Sequence, residues 1–180
     1  NQKGDVLIPA THPVAWEVTY GEPIEDGAVE LFGVDETLKQ QYAKKNYIAS
    51  FLTSIYDRQG KIAYYPLWFD NGSDYWVEAK RRYVDPNTGY VGFVNSAHKI
   101  TIPAQWEFAT PFNYGYAEVA QGFKKQYAPG GEHWSLVPDD TKTAIKAVIN
   151  ARGELVKGSS TRQSKDDYLL DRLYYPNPFT

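Results

Sequence analysis

The chain has 180 residues, no cysteine, and 19 basic against 22 acidic residues, for a net charge of −3. Disulfides, thiolate catalysis and cysteine-held zinc are excluded, and the missing basic surplus argues against duplex nucleic acid, whose binding depends on neutralising phosphates. Hydrophobic content of 42% suffices for one proper core, and no run approaches the roughly 20 apolar residues of a membrane helix, so one domain over residues 1–180, not membrane-spanning, is expected.

In chain order, Gly4-Asp5-Val6-Leu7-Ile8-Pro9-Ala10 can be laid on the later stretch His98-Lys99-Ile100-Thr101-Ile102-Pro103-Ala104, and Gly27-Ala28-Val29-Glu30-Leu31 echoes Gly115-Tyr116-Ala117-Glu118-Val119. Asp35 to Lys45 starts acidic and ends basic, the polarity a helix dipole favours, and would place Leu38 and Tyr42 on one face. Ile55-Tyr56-Asp57-Arg58-Gln59-Gly60-Lys61-Ile62 then leads to Pro66 and Trp68, and Phe93-Val94-Asn95-Ser96-Ala97-His98-Lys99-Ile100 leads to Pro103 and Trp106. Asp57 to Asn95 and Trp68 to Trp106 are both 38 positions apart. A third start stands at Val148-Ile149-Asn150-Ala151-Arg152-Gly153-Glu154-Leu155-Val156.

Local chemistry supports strands and hairpins. Asp57 to Gly60 and Asn150 to Gly153 place glycine three residues after an Asp or Asn, where a tight turn needs positive φ. Asn71-Gly72 and Asp85-Pro86-Asn87-Thr88-Gly89 predict two more turns. Ile100-Thr101-Ile102 and the alternating Tyr116-Ala117-Glu118-Val119-Ala120 suit strands with one buried face. Asp139 to Ala147 is a weaker helical stretch. Residues 157–165 read as a polar loop. Residues 166–180 read as a C-terminal helix, with Leu169, Leu170 and Leu173 on one side, and an apolar tail, Tyr174 to Phe179, expected to pack back or to meet a partner.

The repeated pattern resembles the WG-repeat (KWG repeat) family, whose units run as a glycine-aromatic strand, a D/N-x-x-G-K turn, an apolar strand ending in proline, then an aromatic. Gly89 to Val119 carries it best, through Tyr90-Val91-Gly92-Phe93-Val94-Asn95, Lys99-Ile100-Thr101-Ile102-Pro103, Trp106, Pro111-Phe112, Gly115, Ala117 and Val119. His98 stands where the family has the turn glycine, and Val91 precedes Gly92 where the family has tryptophan. The resemblance implies a mainly β, antiparallel β-repeat fold of about three WG-like units, here with one or two short helices. It implies a repeat module and carries no catalytic residues.

Candidate chemistry is sparse. His12, His98 and His133 lack metal-ligand spacing, and His98 and His133 fall where an exposed polar ring is natural; no metal site and no cofactor are expected. There is no G-x-S-x-G, no Walker loop and no dinucleotide fingerprint. Lys80-Arg81-Arg82 beside Glu78 and Asp85 reads as a solvated strand end rather than a nucleic-acid site. Asp70, Asp74 and Glu78 around Tyr75 and Trp76, with Glu107 after Trp106, invite a glycosidase reading, but strand alternation alone puts acids in water when aromatics face the core.

The aromatic load is the strongest functional signal, with fifteen tyrosines, five tryptophans and eight phenylalanines. Tyrosine and tryptophan add a polar handle to a large apolar area, which suits interfaces and sugar faces. Ligand-binding candidates are Trp76, Trp134, Trp68, Trp106 and Tyr75. For Trp68 and Trp106 the competing reading is a plug between adjacent units; Trp76 and Trp134 have no counterpart in the other copies. The expectation is a non-catalytic binding or scaffolding module, periplasmic or secreted, with a protein or cell-envelope partner. The alternative is a glycan-binding or glycan-cleaving domain using tryptophans and paired carboxylates.

Overall fold

The computed structural model describes residues 28–32, 53–69, 72–127, 129 and 134–156. They contain antiparallel strands and no helix. The helices expected at Asp35 to Lys45 and near the C-terminus lie outside the described residues. The stretch from Asp139 to Ala147 is not helical. Asp139 opens a turn in which its Oδ1 accepts from the Thr141 amide and hydroxyl at 3.0 and 2.7 Å, and the chain then enters a strand at Ile145. An Asp that bonds its own following backbone stabilises a turn more than a helix interior, and β-branched Val148 and Ile149 carry the strand onward.

The chain divides into two compact units at Ala104 and Gln105. The first contains β1 (Val29–Phe32), β2 (Thr53–Tyr56), β3 (Ile62–Pro66), β4 (Trp68–Phe69), β5 (Gly72–Ser73), β6 (Lys80–Val84), β7 (Val91–Asn95) and most of β8 (Ile100–Trp106). Six of these form one sheet in the order β1-β2-β3-β6-β7-β8, with β4 and β5 as a separate hairpin. Its core is built on Ile55, Tyr64, Tyr83 and Val94, with Ala28, Ala63 and Ala104 packed against them. The second unit has β9 (Phe108–Ala109), β10 (Tyr116–Gln121), β11 (Phe123–Tyr127), β12 (Trp134–Pro138) and β13 (Ile145–Asn150), arranged as a sheet β13-β10-β9 and a hairpin β11-β12. Ala117 and Val119 point inward and Tyr116 outward, as the alternation along β10 requires.

The repeat is visible in hydrogen bonds. In three turns, the amide three residues on bonds back to the carbonyl of Asp57, Asn95 or Asn150, at 3.0, 2.8 and 2.8 Å. The same three residues donate their own amides to the carbonyls of Lys61, Lys99 and Glu154 at 2.8, 2.9 and 2.9 Å. Their side-chain Oδ1 atoms accept the Lys61, Lys99 and Glu154 amides at 2.9, 3.0 and 3.1 Å. The fourth turn position is left-handed in all three, with φ of 75° at Gly60, 57° at His98 and 81° at Gly153. Glycine adopts this conformation without penalty, whereas histidine pays about 1 kcal/mol for its Cβ.

The strand before each turn also has a partner in one register, pairing Val29 with Tyr56, Arg81 with Val94 and Ala117 with Ile149. The echo is therefore structural over Val29–Leu31 and Ala117–Val119, since β1 occupies in its copy the place that β6 and β10 occupy in theirs. In the third copy the hairpin β11-β12 is inserted between the two paired strands.

Gly92 marks a close backbone approach. A Cβ there would lie 2.5 Å from the Ile102 carbonyl oxygen, 2.6 Å from the Ala104 nitrogen and 2.6 Å from the Tyr83 ring, whose hydroxyl accepts the Ala104 amide at 2.9 Å. Two of these neighbours are backbone and cannot step aside. Gly92→Ala is expected to cost about 3 kcal/mol in chemical denaturation. Gly72→Ala, where nothing lies within 4 Å, should change stability by less than about 0.5 kcal/mol.

Candidate functional site

The tripeptide Asp74-Tyr75-Trp76 reverses the alternation expected of it. Asp74 is 2% exposed, while Tyr75 and Trp76 are 56% and 39% exposed. The cause lies on β6, where Arg81 and Arg82 are both buried. The Asp74 carboxylate accepts from the Arg82 amide at 3.0 Å and from its guanidinium at 2.8 and 2.6 Å. The Asp74 carbonyl accepts from Arg81 Nε at 2.6 Å. Consecutive strand residues point to opposite faces, so one aspartate holds two arginines on two sides of β6. Lys80-Arg81-Arg82 is thus not a solvated strand end: both guanidinium groups are folded inward and charge-paired.

Arg81 reaches further, donating to both Glu30 carboxylate oxygens of β1 at 3.1 to 3.2 Å. Burial works against its charge, but Glu30 and Tyr64 outweigh burial and hold the guanidinium above its ordinary pKa. Burial of Tyr64 on β3 outweighs the neighbouring Arg81 charge, and its pKa is pushed up to about 12. The Tyr64 hydroxyl lies 3.0 Å from His98 Nδ1, and the two rings stack at 5.9 Å and 25°. Trp76 completes the group. It meets the His98 ring in a T-shaped arrangement at 5.5 Å and carries the Arg81 guanidinium 5.6 Å from its ring centroid. His98 is therefore half-buried between aromatics and not the exposed turn residue expected.

The corner beside Trp76 is a two-residue turn, with Val77 and Lys80 exchanging amide-to-carbonyl bonds of 2.9 Å in both directions and φ of 50° and 55° at Glu78 and Ala79. Two positive φ values identify the type I′ hairpin turn. The second unit repeats it: Asn113 and Tyr116 exchange bonds of 2.7 and 3.1 Å around Tyr114 and Gly115, at φ of 50° and 77°. Tyr114 and Tyr116 are exposed there, as Tyr75 and Trp76 are at the first corner. Among the described residues the other exposed large hydrophobics are Ile62, Ile100 and Leu155, each five positions after the Asp or Asn that opens its turn. The two corners are not equivalent residue for residue: Tyr75 and Trp76 precede the first turn, whereas Tyr114 lies within the second and Tyr116 closes it, and the position that answers to Trp76 is the buried Phe112.

Of the remaining candidates, Trp106 is 6% exposed and belongs to the core, and Trp68 is half-buried. Trp134 pairs with Tyr127 through the backbone of β12, and its side chain lies outside the described residues, as do His12, His133 and Asp70. Glu107 is also committed, accepting the Phe123 amide at 2.7 Å and pairing with Lys142 at 2.6 Å. Sequence reasoning missed Tyr64, Arg81 and Glu30. Their only signal was the out-of-place charge of two arginines within a β-strand pattern. Among the described residues no helix is long and apolar enough to cross a membrane, which concerns helices alone.

Residues 92–124 match the family model of the WG containing repeat, beginning at the tightly packed Gly92 and ending just beyond β10. No curated protein and no solved structure matches the chain.

Two outcomes check the buried charges. Asp74→Asn leaves Arg82 without its counter-charge and is expected to destabilise the first unit by about 3 kcal/mol in denaturant titration. The second concerns alkaline pH. Because the folded pKa of Tyr64 is raised, its hydroxyl keeps its proton more tightly in the folded than in the unfolded state, so its contribution is complete below pH 10 and lost on rising towards 12. Tyr64→Phe should remove about 2 kcal/mol of the stability loss over that interval.

Proposed function

We propose, from the WG-type repeat at residues 92–124 and the siting of the exposed aromatics, that the chain is a non-catalytic binding module of about three such units. It acts in an exported setting and holds a protein or cell-envelope partner against its aromatic corners. The carrying observation is that both type I′ corners expose aromatics, Tyr75 and Trp76 just before the first turn and Tyr114 and Tyr116 at the second and fourth positions of the other. Aromatic residues on a rigid hairpin offer large contact area at little conformational cost, which is what interface anchors require.

The carboxylates favour binding over glycan cleavage. Glycoside hydrolysis needs two carboxyl groups facing one cleft. Asp74 is consumed by Arg82, and Glu107 by Lys142 and a backbone amide. Glycan binding without cleavage remains the second reading, because an exposed Tyr-Trp pair also suits a sugar face.

The test is a comparison of the purified chain with Tyr75→Ala/Trp76→Ala and Tyr114→Ala/Tyr116→Ala, each shown folded by circular dichroism, in capture from envelope extract and in co-sedimentation with insoluble cell-wall glycan. The proposal expects protein capture to fall at least about 30-fold in a corner variant, the loss of an anchor worth about 2 kcal/mol. Capture untouched by both variants would remove the corners from the function. Glycan co-sedimentation lost with Trp76 would select the sugar reading.

A further inference from the structure

The two copies that carry type I′ corners treat one position in opposite ways. Asn113 and Tyr116 answer to Val77 and Lys80 through their exchanged bonds, and the pair Ala117–Ile149 answers to Arg81–Val94, so Phe112 stands where Trp76 does. Phe112 is 2% exposed and Trp76 39%. The same position is a core plug in the second unit and a surface side chain in the first.

Three departures accompany the change. Thr110 makes two bonds of 2.9 Å to Glu118, its amide donating to the carbonyl and its hydroxyl accepting the amide. In the first unit the same bonds to Arg82 are divided between the Leu67 amide, at 3.1 Å, and the Asp74 carboxylate, at 3.0 Å. The β4-β5 hairpin is inserted between those two residues and closed by the Asp74 amide on the Leu67 carbonyl at 2.8 Å. Val29-Glu30 and Ala117-Glu118 answer to Arg81-Arg82, so the arginine pair is peculiar to this copy. An inserted hairpin, a buried aspartate and two buried arginines thus hold an aromatic ring out of a place that the other copy fills from within. Local rules are broken in this concerted way at functional sites.

Charges around the ring are matched internally. Arg82 pairs with Asp74 at 2.6 Å and Arg81 with Glu30 at 3.1 Å, and with Glu78 and Lys80 of the turn three acids stand against three bases. A charged group brought against Trp76 would lose water without gaining a counter-charge. Sugar hydroxyls would find Asp74 and Arg82 buried and already bonded to each other. The ring itself is held, with the Arg81 guanidinium 5.6 Å from its centroid and the His98 ring at 5.5 Å, and a rigid anchor loses little freedom on binding.

We propose that the Tyr75–Trp76 corner alone is the recognition site, and that it takes an uncharged aromatic or proline side chain from a protein segment. This rests on the binding role given above and names the chemistry of its partner.

The test selects phage-displayed random linear peptides on the purified full chain, then measures a recovered peptide, synthesised and labelled, by fluorescence anisotropy. Recovered peptides are expected to share an uncharged aromatic residue or proline. Affinity should fall at least about 30-fold in Trp76→Ala, shown folded by circular dichroism, and change less than about twofold in Tyr114→Ala/Tyr116→Ala. Raising sodium chloride from about 0.05 to about 0.5 M should also change it less than about twofold, because no charge pair crosses the contact. Failure to recover peptides, a charged motif with steep salt dependence, equal loss at both corners, or displacement by soluble cell-wall glycan would overturn the assignment. Partner capture lost only in Tyr114→Ala/Tyr116→Ala would overturn this site and leave the binding role standing. Peptide binding at Trp76 with partner capture indifferent to both corners would instead sink the binding role and leave the chemistry of the site standing.

Discussion

Asp74 is the constraint on which the first unit's surface depends. A carboxylate that is 2% exposed must have its charge answered, and both Arg82 and the backbone amide of β6 answer it. Burying an ion pair gains little over an apolar core, but leaving either partner alone is costly, so the arrangement specifies one conformation more than it stabilises. That specification fixes the residues that follow. With Asp74 drawn inward and its carbonyl held by Arg81, Tyr75 and Trp76 are carried into water at the turn. The same arginine reaches Glu30 on β1 and Tyr64 on β3, so a surface corner is tied to three strands of the sheet.

The turns were legible in the sequence because their chemistry is local. An Asp or Asn followed at a fixed offset by a residue able to take positive φ is enough, and the three copies at Asp57, Asn95 and Asn150 share one hydrogen-bond pattern. The family resemblance was legible for the same reason and coincides with the match over 92–124. The mainly antiparallel β architecture followed from both.

What failed to be legible depends on long-range partners. Strand alternation assumes that aromatics outrank acids for the interior, and at Asp74-Tyr75-Trp76 two buried arginines seven and eight residues away overrule it. Likewise His98 looks like an ordinary turn residue until Tyr64, 34 positions earlier, is brought against it. The stretch from Asp139 read as partly helical because lysines and threonines hide a strand whose inward residues, Ala147 and Ile149, are set by pairing with β10. Trp106 and Trp76 show the limit most clearly. One is a plug and the other a surface side chain, and the difference lies in their neighbours rather than in residue type.

The central claim is that the Asp74 clamp turns the Tyr75–Trp76 pair outward while the repeat tryptophan Trp106 stays inside. Acrylamide quenching of tryptophan emission, compared between the parent and the single variants Trp76→Phe and Trp106→Phe, tests it most directly. The account predicts that Trp76→Phe removes a quenchable, red-shifted component and Trp106→Phe a protected, blue-shifted one. The reverse assignment, or equal protection of both tryptophans, would contradict it.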